Sequence, residues 1–549
     1  WQGSHHDLAM QDVNEASVLG DFQNAVFSKD GVTSRFFRDN GRFMVRTDGP
    51  DGQLADFEIK YTFGVTPLQQ YLIELPGGKL QALSIVWDSR PKEQGGQRWF
   101  HLYPDETIGH DDELHWTQRT QNWNFMCAEC HSTHFQKNYD AASQNYRSSW
   151  SEIDVSCEAC HGPGSHHVAW AQSKSTDDAT KGLVGGLNQR QHLPWAIDAM
   201  TGNAAPHSAQ HNDAEIEVCA RCHSRRAQLF GDYHYENLLD SHLPSLLTES
   251  LYHADGQIDG EVYEYGSFLQ SRMYQAGVSC SDCHEPHSLT LRQPGNALCG
   301  QCHSAEKYDS ERHHFHRSGN AGALCVDCHM PSKTYMGVDV RRDHGFRVPR
   351  PDWSESLGTP NACSTCHADK PPHWAAERVK NWYGRAGKGH QRYAAALHAA
   401  RSNAADADAS LRQLLQDHDQ PAIARATAVA ALVTPASADQ ENLMAEALKD
   451  DRPLVRRAAL ESIERMEPER RWALAHERLR DSSRVLRALA AAALAGAVPP
   501  NLAAAEREHF DRAAGEYLTS LQWNADDPSA LVNLGNFHSA RNQSAQAEQ

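Results

Sequence analysis

The chain has 549 residues, 40% of them apolar, and 71 acidic against 52 basic side chains give it a formal net charge of −19. That excess of acid argues against nucleic acid or an anionic membrane face as the main partner, and no run approaches the roughly 18 apolar residues of a membrane span. The length suffices for several domains. The unusual counts are 14 cysteines and 33 histidines, and spacing decides whether such thiols are reactive, bridged or ligating.

The chain opens on Trp1-Gln-Gly-Ser4-His5-His6 with no charged-plus-apolar leader, so it reads as mature, exported sequence. Residues 1–120 hold no cysteine. Gly41-Arg-Phe-Met-Val-Arg, Phe57-Glu-Ile-Lys-Tyr-Thr-Phe and Leu80-Gln-Ala-Leu-Ser-Ile-Val-Trp read as strands, separated by the turns Asp48-Gly49, Asp51-Gly52 and Gly77-Gly78. The expectation is a small antiparallel sheet inserted beside the segment that follows.

Residues 121–375 carry all 14 cysteines in seven copies of C-x-x-C-H. In order they are Cys127/Cys130/His131, Cys157/Cys160/His161, Cys219/Cys222/His223, Cys280/Cys283/His284, Cys299/Cys302/His303, Cys325/Cys328/His329 and Cys363/Cys366/His367. Chance predicts about 0.02 such pentapeptides in a chain of this composition. Two thiols at this spacing add to the two vinyl groups of one haem, and the adjacent His reaches the iron from the tethered side. Zinc sites do not demand a His after every second Cys, and disulfides are indifferent to it. Seven covalent c-type haems therefore follow, and the flat macrocycles supply interior that a 40% apolar chain otherwise lacks. The motifs crowd together after residue 280, which places haems in near contact.

A haem that only carries electrons needs a sixth ligand, and one that binds substrate needs an open position. His6, His167, His253, His287, His314, His316 and His344 are the candidates. His166 and His167 follow a Gly-Pro-Gly-Ser turn, His287 lies in Cys-His-Glu-Pro-His, His313, His314 and His316 form one cluster, and His344 sits in Arg-Arg-Asp-His-Gly-Phe. His134, His207, His211, His234 and His242 read as solvated loop residues. Residues 171–215 are polar and loop-like, with Gly185-Gly186 and no clear period.

Beyond residue 376 the composition turns to Ala, Leu and Arg at helical spacing. Pro421-Ala-Ile-Ala-Arg-Ala, Pro453-Leu-Val-Arg-Arg-Ala and Arg484-Val-Leu-Arg-Ala-Leu set a HEAT-like rhythm over residues 376–500. Residues 501–549 fit a tetratricopeptide template, with Ala513 and Ala547 one period apart and the last repeat cut short, so the native protein is expected to continue. The fold class expected is mostly α: a multihaem module with few regular elements and a small β insertion, followed by a helical solenoid.

Cys-Glu-Ala-Cys-His-Gly-Pro-Gly-Ser-His-His (157–167), Cys-Ser-Asp-Cys-His-Glu-Pro-His (280–287) and Cys-Val-Asp-Cys-His-Met-Pro (325–331) resemble the octahaem cytochrome c superfamily. That superfamily includes octahaem nitrite and tetrathionate reductases, hydroxylamine oxidoreductase and cytochrome c-554-like carriers. More closely, the chain resembles multihaem proteins that append tetratricopeptide repeats to this module. In that family a Trp-x-x-Ser-x-His segment follows a first C-x-x-C-H, so the resemblance implies an eighth motif upstream of Trp1. Every motif here ends in His, whereas the ammonia-forming pentahaem reductases place a lysine at their active haem.

Three functions stay open at this point. The first is electron transfer through mostly bis-His haems, with the repeats docking a redox protein. The second is a haem-dependent reductase of small nitrogen or sulfur oxyanions, for which Tyr263, Tyr265, Arg272 and His253 are the segment to inspect. The third is a subunit of a conductive filament made of copies of this chain. Haem attachment to C-x-x-C-H takes place outside the cytoplasm, so the periplasm or the cell exterior is expected, and the acidity points to a basic redox partner. The attachment chemistry predicts seven haems per chain by pyridine haemochrome assay. Cys280→Ala with Cys283→Ala should lower that to six, while His284→Met should keep seven and alter one haem's spectrum and potential.

Overall fold

The computed structural model describes residues 1–173, 180–184, 187, 195–206, 213–232, 237–384, 389–432 and 438–548. Expected loop residues His207, His211 and His234, and the Gly185-Gly186 pair, lie outside them. The chain divides into two compact units: Trp1–Gly185 with Glu285–Thr290 and Thr334–Arg341, and Gly186–His284 with Leu291–Lys333 and Arg342–Gln549.

In the first unit, aromatic and β-branched residues build nine strands: β1 Met10–Asp12, β2 Ala25–Lys29, β3 Val32–Asp39, β4 Arg42–Asp48, β5 Leu54–Phe63, β6 Leu68–Leu75, β7 Lys79–Ala82, β8 Ile85–Asp88 and β9 Arg98–His101. They form one antiparallel sheet in the order β2-β3-β4-β5-β6-β8-β9, with β1 on β5 and β7 on β6. Asp30-Gly31 joins β2 to β3 and Asn40-Gly41 joins β3 to β4, and all four residues have positive φ. Such primed two-residue turns match strand twist and favour Asp-Gly and Asn-Gly.

The sheet curls until its ends meet. Phe36 of β3 stacks on Trp99 of β9 with centroids 3.6 Å apart, and Phe22 meets Phe36, Phe43, Tyr71 and Trp99 edge-on. The Lys29 ammonium, at the end of β2, donates to the carbonyl of Glu106 just beyond β9 at 2.6 Å. The result is a nearly closed barrel around an aromatic core. Val338, from a later segment of the same unit, packs under Leu68, Val86 and Phe100.

The expectation of a mostly α fold is thereby corrected: the structure is only 39% helical. Two physical causes account for the difference. The sheet is a nine-stranded barrel rather than a three-strand insertion. The helices bearing cysteine motifs are also short, as in Ala128–His131, Cys157–His161, Cys280–Cys283, Cys325–His329 and Cys363–Cys366. One turn is all that two thiols three positions apart require.

In the second unit, helices from Ala394–Arg401 to Pro528–Ala540 stack in succession. Helix Ala422–Ala431 packs on Pro453–Ile463, which packs on Arg484–Leu494, and intervening helices cover them on one side. Buried Ala424, Ala426, Ala428, Ala458, Ala459, Ala490, Ala491 and Ala493 permit the close approach. Arg425, Arg456 and Arg487 recur at 31-residue intervals, each reaching an acid in the following helical layer. Arg425 pairs with Asp450, Arg456 holds both oxygens of Asp481 at 2.8 and 3.0 Å, and Arg487 holds Glu516 at 2.6 Å.

These helices share their core with a motif-bearing segment. Ile216, Ala220, Leu247, Tyr252 and Phe268 belong to the same apolar cluster as Ile423, Leu460, Leu494 and Phe510. Arg401 donates to the carbonyls of Tyr252 and Leu247, both at 2.9 Å, and Thr427 accepts from Leu247 N–H at 3.0 Å.

The Arg456–Asp481 pair is almost wholly buried, so deleting Arg456 leaves the Asp481 carboxylate to the longer Arg478 contact at 3.3 Å and the Ser483 N–H. Arg456→Met is expected to cost about 3–5 kcal/mol. A fall in the denaturation midpoint by far-ultraviolet circular dichroism checks it, and adding Asp481→Leu should recover most of the loss.

Candidate haem centres

All 14 cysteines lie outside any disulfide. Among the described residues no group of three His, Cys, Asp or Glu side chains is arranged to hold a metal ion, so the zinc-knuckle reading finds no ligand cluster. Thiols of different motifs come together. Cys219 is within hydrogen-bonding reach of Cys280, and Cys299 of Cys325, which lowers the Cys280 and Cys299 pKa values.

The other ten cysteines, Cys130 and Cys160 among them, are assigned as tethers by their spacing. Cys130 lies on the one-turn helix Ala128–His131 and Cys160 on Cys157–His161, and both thiols are half-buried. Their assignment as tethers therefore rests on their spacing from Cys127 and Cys157 and on the histidine that follows each, rather than on where the fold puts them. The physical reason is that a tether needs only its partner thiol three positions away, which one helical turn supplies without help from tertiary contacts.

Four motif histidines each face a second imidazole. His161 and His287 are 6.1 Å apart between ring centroids and 11° from parallel; His329 and His313 are 6.1 Å apart at 8°. His284 and His344 are 6.4 Å apart at 30°, and His367 and His316 are 6.3 Å apart at 34°. A metal-bound imidazole keeps its nitrogen about 2.0 Å from the ion, and its centroid lies about 1.1 Å further back. Two imidazoles on opposite faces of one iron should therefore have centroids about 6.2 Å apart. The four pairs have that span, so the residues fit a haem iron held from both sides.

Among the paired rings, His329, His287, His344 and His316 have Nδ1 hydrogen-bonded, as do two further motif histidines, His223 and His303. On the motif side, Nδ1 of His223 bonds Glu264 at 3.0 Å, Nδ1 of His303 bonds Asn203 Oδ1 at 2.7 Å, and Nδ1 of His329 bonds the Arg347 carbonyl at 2.7 Å. On the opposite side, Nδ1 of His344 bonds the Arg342 carbonyl at 3.0 Å, Nδ1 of His316 the His314 carbonyl at 2.5 Å, and Nδ1 of His287 the Glu285 carboxylate at 3.2 Å. Carbonyl and carboxylate oxygens only accept, so Nδ1 carries the proton and the Nε2 lone pair stays available for metal.

Of the other expected ligands, His167 has Nδ1 on the Lys181 carbonyl at 2.8 Å and stacks on Trp170. The carbonyl of His6 takes the N–H of Val155, two residues before Cys157, and Trp1 Nε1 donates to the Val155 carbonyl, so the opening segment is fastened beside the second motif. The His253 ring faces Asp259 at 3.5 Å rather than an imidazole. His314 accepts from the His316 N–H through Nδ1 at 3.2 Å. His131 is half-buried with the edge of Phe63 against it at 5.5 Å. His134 lies 3.5 Å from Glu158, and His242 is buried on the Ser241 hydroxyl. Tyr265 is built into the apolar core shared with the helices, and its hydroxyl pKa is pushed far up by burial.

Sequence reasoning did not single out His313 within its cluster, although the structure sets it opposite His329. It also passed over Asn203, Glu264 and Arg347, which orient motif histidines. Only the folded chain brings these residues to the motifs.

Three family descriptions match parts of the chain: cytochrome c554 and c-prime over residues 97–162, a doubled CXXCH motif over 273–308, and cytochrome c552 over 306–433. The multihaem cytochrome MtrA of Shewanella baltica (strain OS185) is 27% identical over 105 residues, 18% of this chain. The match covers 27% of that relative's length. The crystal structure of the outer cell wall cytochrome OcwA aligns over 84% of this chain and 95% of its own, with 16% identity and a TM-score of 0.38.

Burial lowers the pKa of His161, His284, His303, His313 and His329, with neighbouring imidazoles adding to the effect at the first four and the Arg347 carbonyl opposing it at His329. The folded chain thus favours neutral rings; that contribution to stability is present above the unfolded pKa and lost on acidification. Protons should compete with iron only well below the ordinary histidine value of about 6.5. The optical spectrum of the haem-loaded, oxidised protein is expected to stay unchanged from about pH 7.5 to about pH 5.5, which an optical pH titration checks.

Proposed function

We infer that this chain, a multihaem c-type cytochrome, carries electrons through closely spaced haems whose irons are mostly held between two histidines. The observation that carries this reading is the set of four imidazole pairs with centroids 6.1–6.4 Å apart. When bound, haem supplies a one-electron iron couple. The residues of the chain do the rest. Paired thiols tether each group, motif histidines ligate from one side, and His287, His344, His313 and His316 close the other side.

The Nδ1 bonds of His287, His316, His329 and His344 fix the tautomer and rotation of those rings, so that Nε2 would be left to hold the iron of a bound haem. Cys219 lies within reach of Cys280 and Cys299 within reach of Cys325, so the third and fourth motifs, and the fifth and sixth, come close enough to suit charge transfer between their haems.

The alanine-rich helix stack is assigned as HEAT-like and then tetratricopeptide-like repeats that dock a redox protein. A net charge of −19 favours a basic partner over nucleic acid. Because thioether attachment takes place outside the cytoplasm, the assigned location is the periplasm or the cell exterior.

Axial ligation is tested by electron paramagnetic resonance of the oxidised protein. His313→Ala should convert one low-spin haem to high-spin and leave the haem count unchanged. An unaltered low-spin spectrum in that variant would overturn the assignment of His313. If the wild-type protein already contains a high-spin haem and reduces nitrite, hydroxylamine or tetrathionate, the carrier reading fails in favour of an enzyme.

A further inference from the structure

One short segment, Arg342–Arg350, reaches two motifs. His344 projects to the imidazole of His284, in the Cys280/Cys283 motif, at 6.4 Å between centroids. Three residues on, the carbonyl of Arg347 accepts the Nδ1 proton of His329, in the Cys325/Cys328 motif, at 2.7 Å. The Arg342 guanidinium meets that same motif from outside, donating to the carbonyls of Val326 and Met330 at 3.2 and 3.1 Å.

Between these contacts the segment is bolted down by buried charge. Asp343 and Arg347 are 1% and 6% exposed and 3.6 Å apart. Asp343 Oδ1 accepts from Gly345 N–H at 2.7 Å and Oδ2 from Ile258 N–H at 3.2 Å. Arg347 donates to the Asp255 carbonyl at 2.5 Å and to Gln270 Oε1, which also accepts from the buried Tyr393 hydroxyl. Gln391 donates to the Gly345 carbonyl at 2.8 Å and to the Gln270 carbonyl at 3.1 Å.

We propose that the Asp343–Arg347 pair is a positioning device that sets the axial ligation of two haems at once. It fixes how far His344 stands from the iron of the Cys280/Cys283 haem and how the His329 ring is turned on the iron of the Cys325/Cys328 haem. Neither side chain touches an iron ligand's metal-facing nitrogen; both act through the backbone of one strap. The two terminal nitrogens of Arg347 and both oxygens of Asp343 are hydrogen-bonded, while Arg347 Nε faces Asp343 as an ion pair without a hydrogen bond, and separating the two charges would leave each bare in the interior. The strap therefore moves as a unit, and strain at one haem is felt at the other. The proposal rests on the reading of His284–His344 as an axial pair.

The experiment uses the fully haem-loaded chain, with electron paramagnetic resonance of the oxidised state and spectroelectrochemical titration. His344→Ala and His329→Met first identify the two haems, each displacing one low-spin signal. Asp343→Asn should then shift the signals and midpoint potentials of both, with all seven haems retained and the other five unmoved. Arg342→Gln, which leaves the Asp343–Arg347 pair in place, should disturb the haem of His329 more than that of His284. If Asp343→Asn moves one haem or none, the coupling proposal is overturned while the axial pair stands. If His344→Ala generates no high-spin haem, the axial reading itself fails. Should Asp343→Asn lower the yield of folded protein, Arg347→Lys is read in the same way. It keeps a charge facing Asp343 but loses the planar fork that spans Asp255 and Gln270.

Discussion

An imidazole can hold iron in a defined orientation only if something holds the imidazole. In this chain that task falls to hydrogen bonds at Nδ1, each worth on the order of 1 kcal/mol. The acceptors differ, being Glu264, Asn203 and the carbonyls of Arg347, Arg342 and His314, but the consequence is the same at each of these five rings. The proton is parked on the far nitrogen and the near lone pair is aimed. The surrounding architecture matters because it fixes those acceptors: Asn203 pairs with His303 across an isolated bridge, and Arg347 is anchored by Asp343 and Gln270.

The two units reach rigidity by different means. The first relies on apolar rings, with Phe22 meeting four aromatic neighbours inside a curled sheet. The second relies on repetition, in which alanines permit close helix contact and a regularly spaced arginine binds each helical layer to the next. Buried pairs of this kind add little net stability when intact, but they penalise any slip in register heavily. In the second unit the result is a firm base for the segment that carries Cys219 and Cys222, whose short helix buries Ile216, Val218 and Ala220.

What could be read from the sequence followed the range of the chemistry. The C-x-x-C-H motifs are local, so their cysteines and motif histidines can be read from spacing alone, Cys130 and Cys160 included. The facing histidine was half legible: His287 and His344 stood out beside turns and motifs, whereas choosing His313 over His314 depends on which way a single helical turn, Glu311–His314, is rotated. The acceptors behind the rings were not legible, since Asn203 and Glu264 are ordinary polar residues until the fold brings them close. The barrel was underestimated for a different reason. Asp30-Gly31 and Asn40-Gly41 advertise hairpins, but β6 breaks the hydrophobic pattern with Gln69 and Gln70. Both are buried in the sheet, and Gln69 bonds Leu19 N–H and the Ser17 carbonyl.

The shared core of the second unit also bears on how the protein is made. The helix Ala214–Ala220 lies early in the chain, yet Ile423, Leu460 and Phe510, which complete its apolar surroundings, are synthesised about two hundred residues or more later. Until those helices exist, the apolar face beside Cys219 and Cys222 has nothing to close against. The core of this unit is therefore a long-range closure, and its completion waits on the far end of the chain.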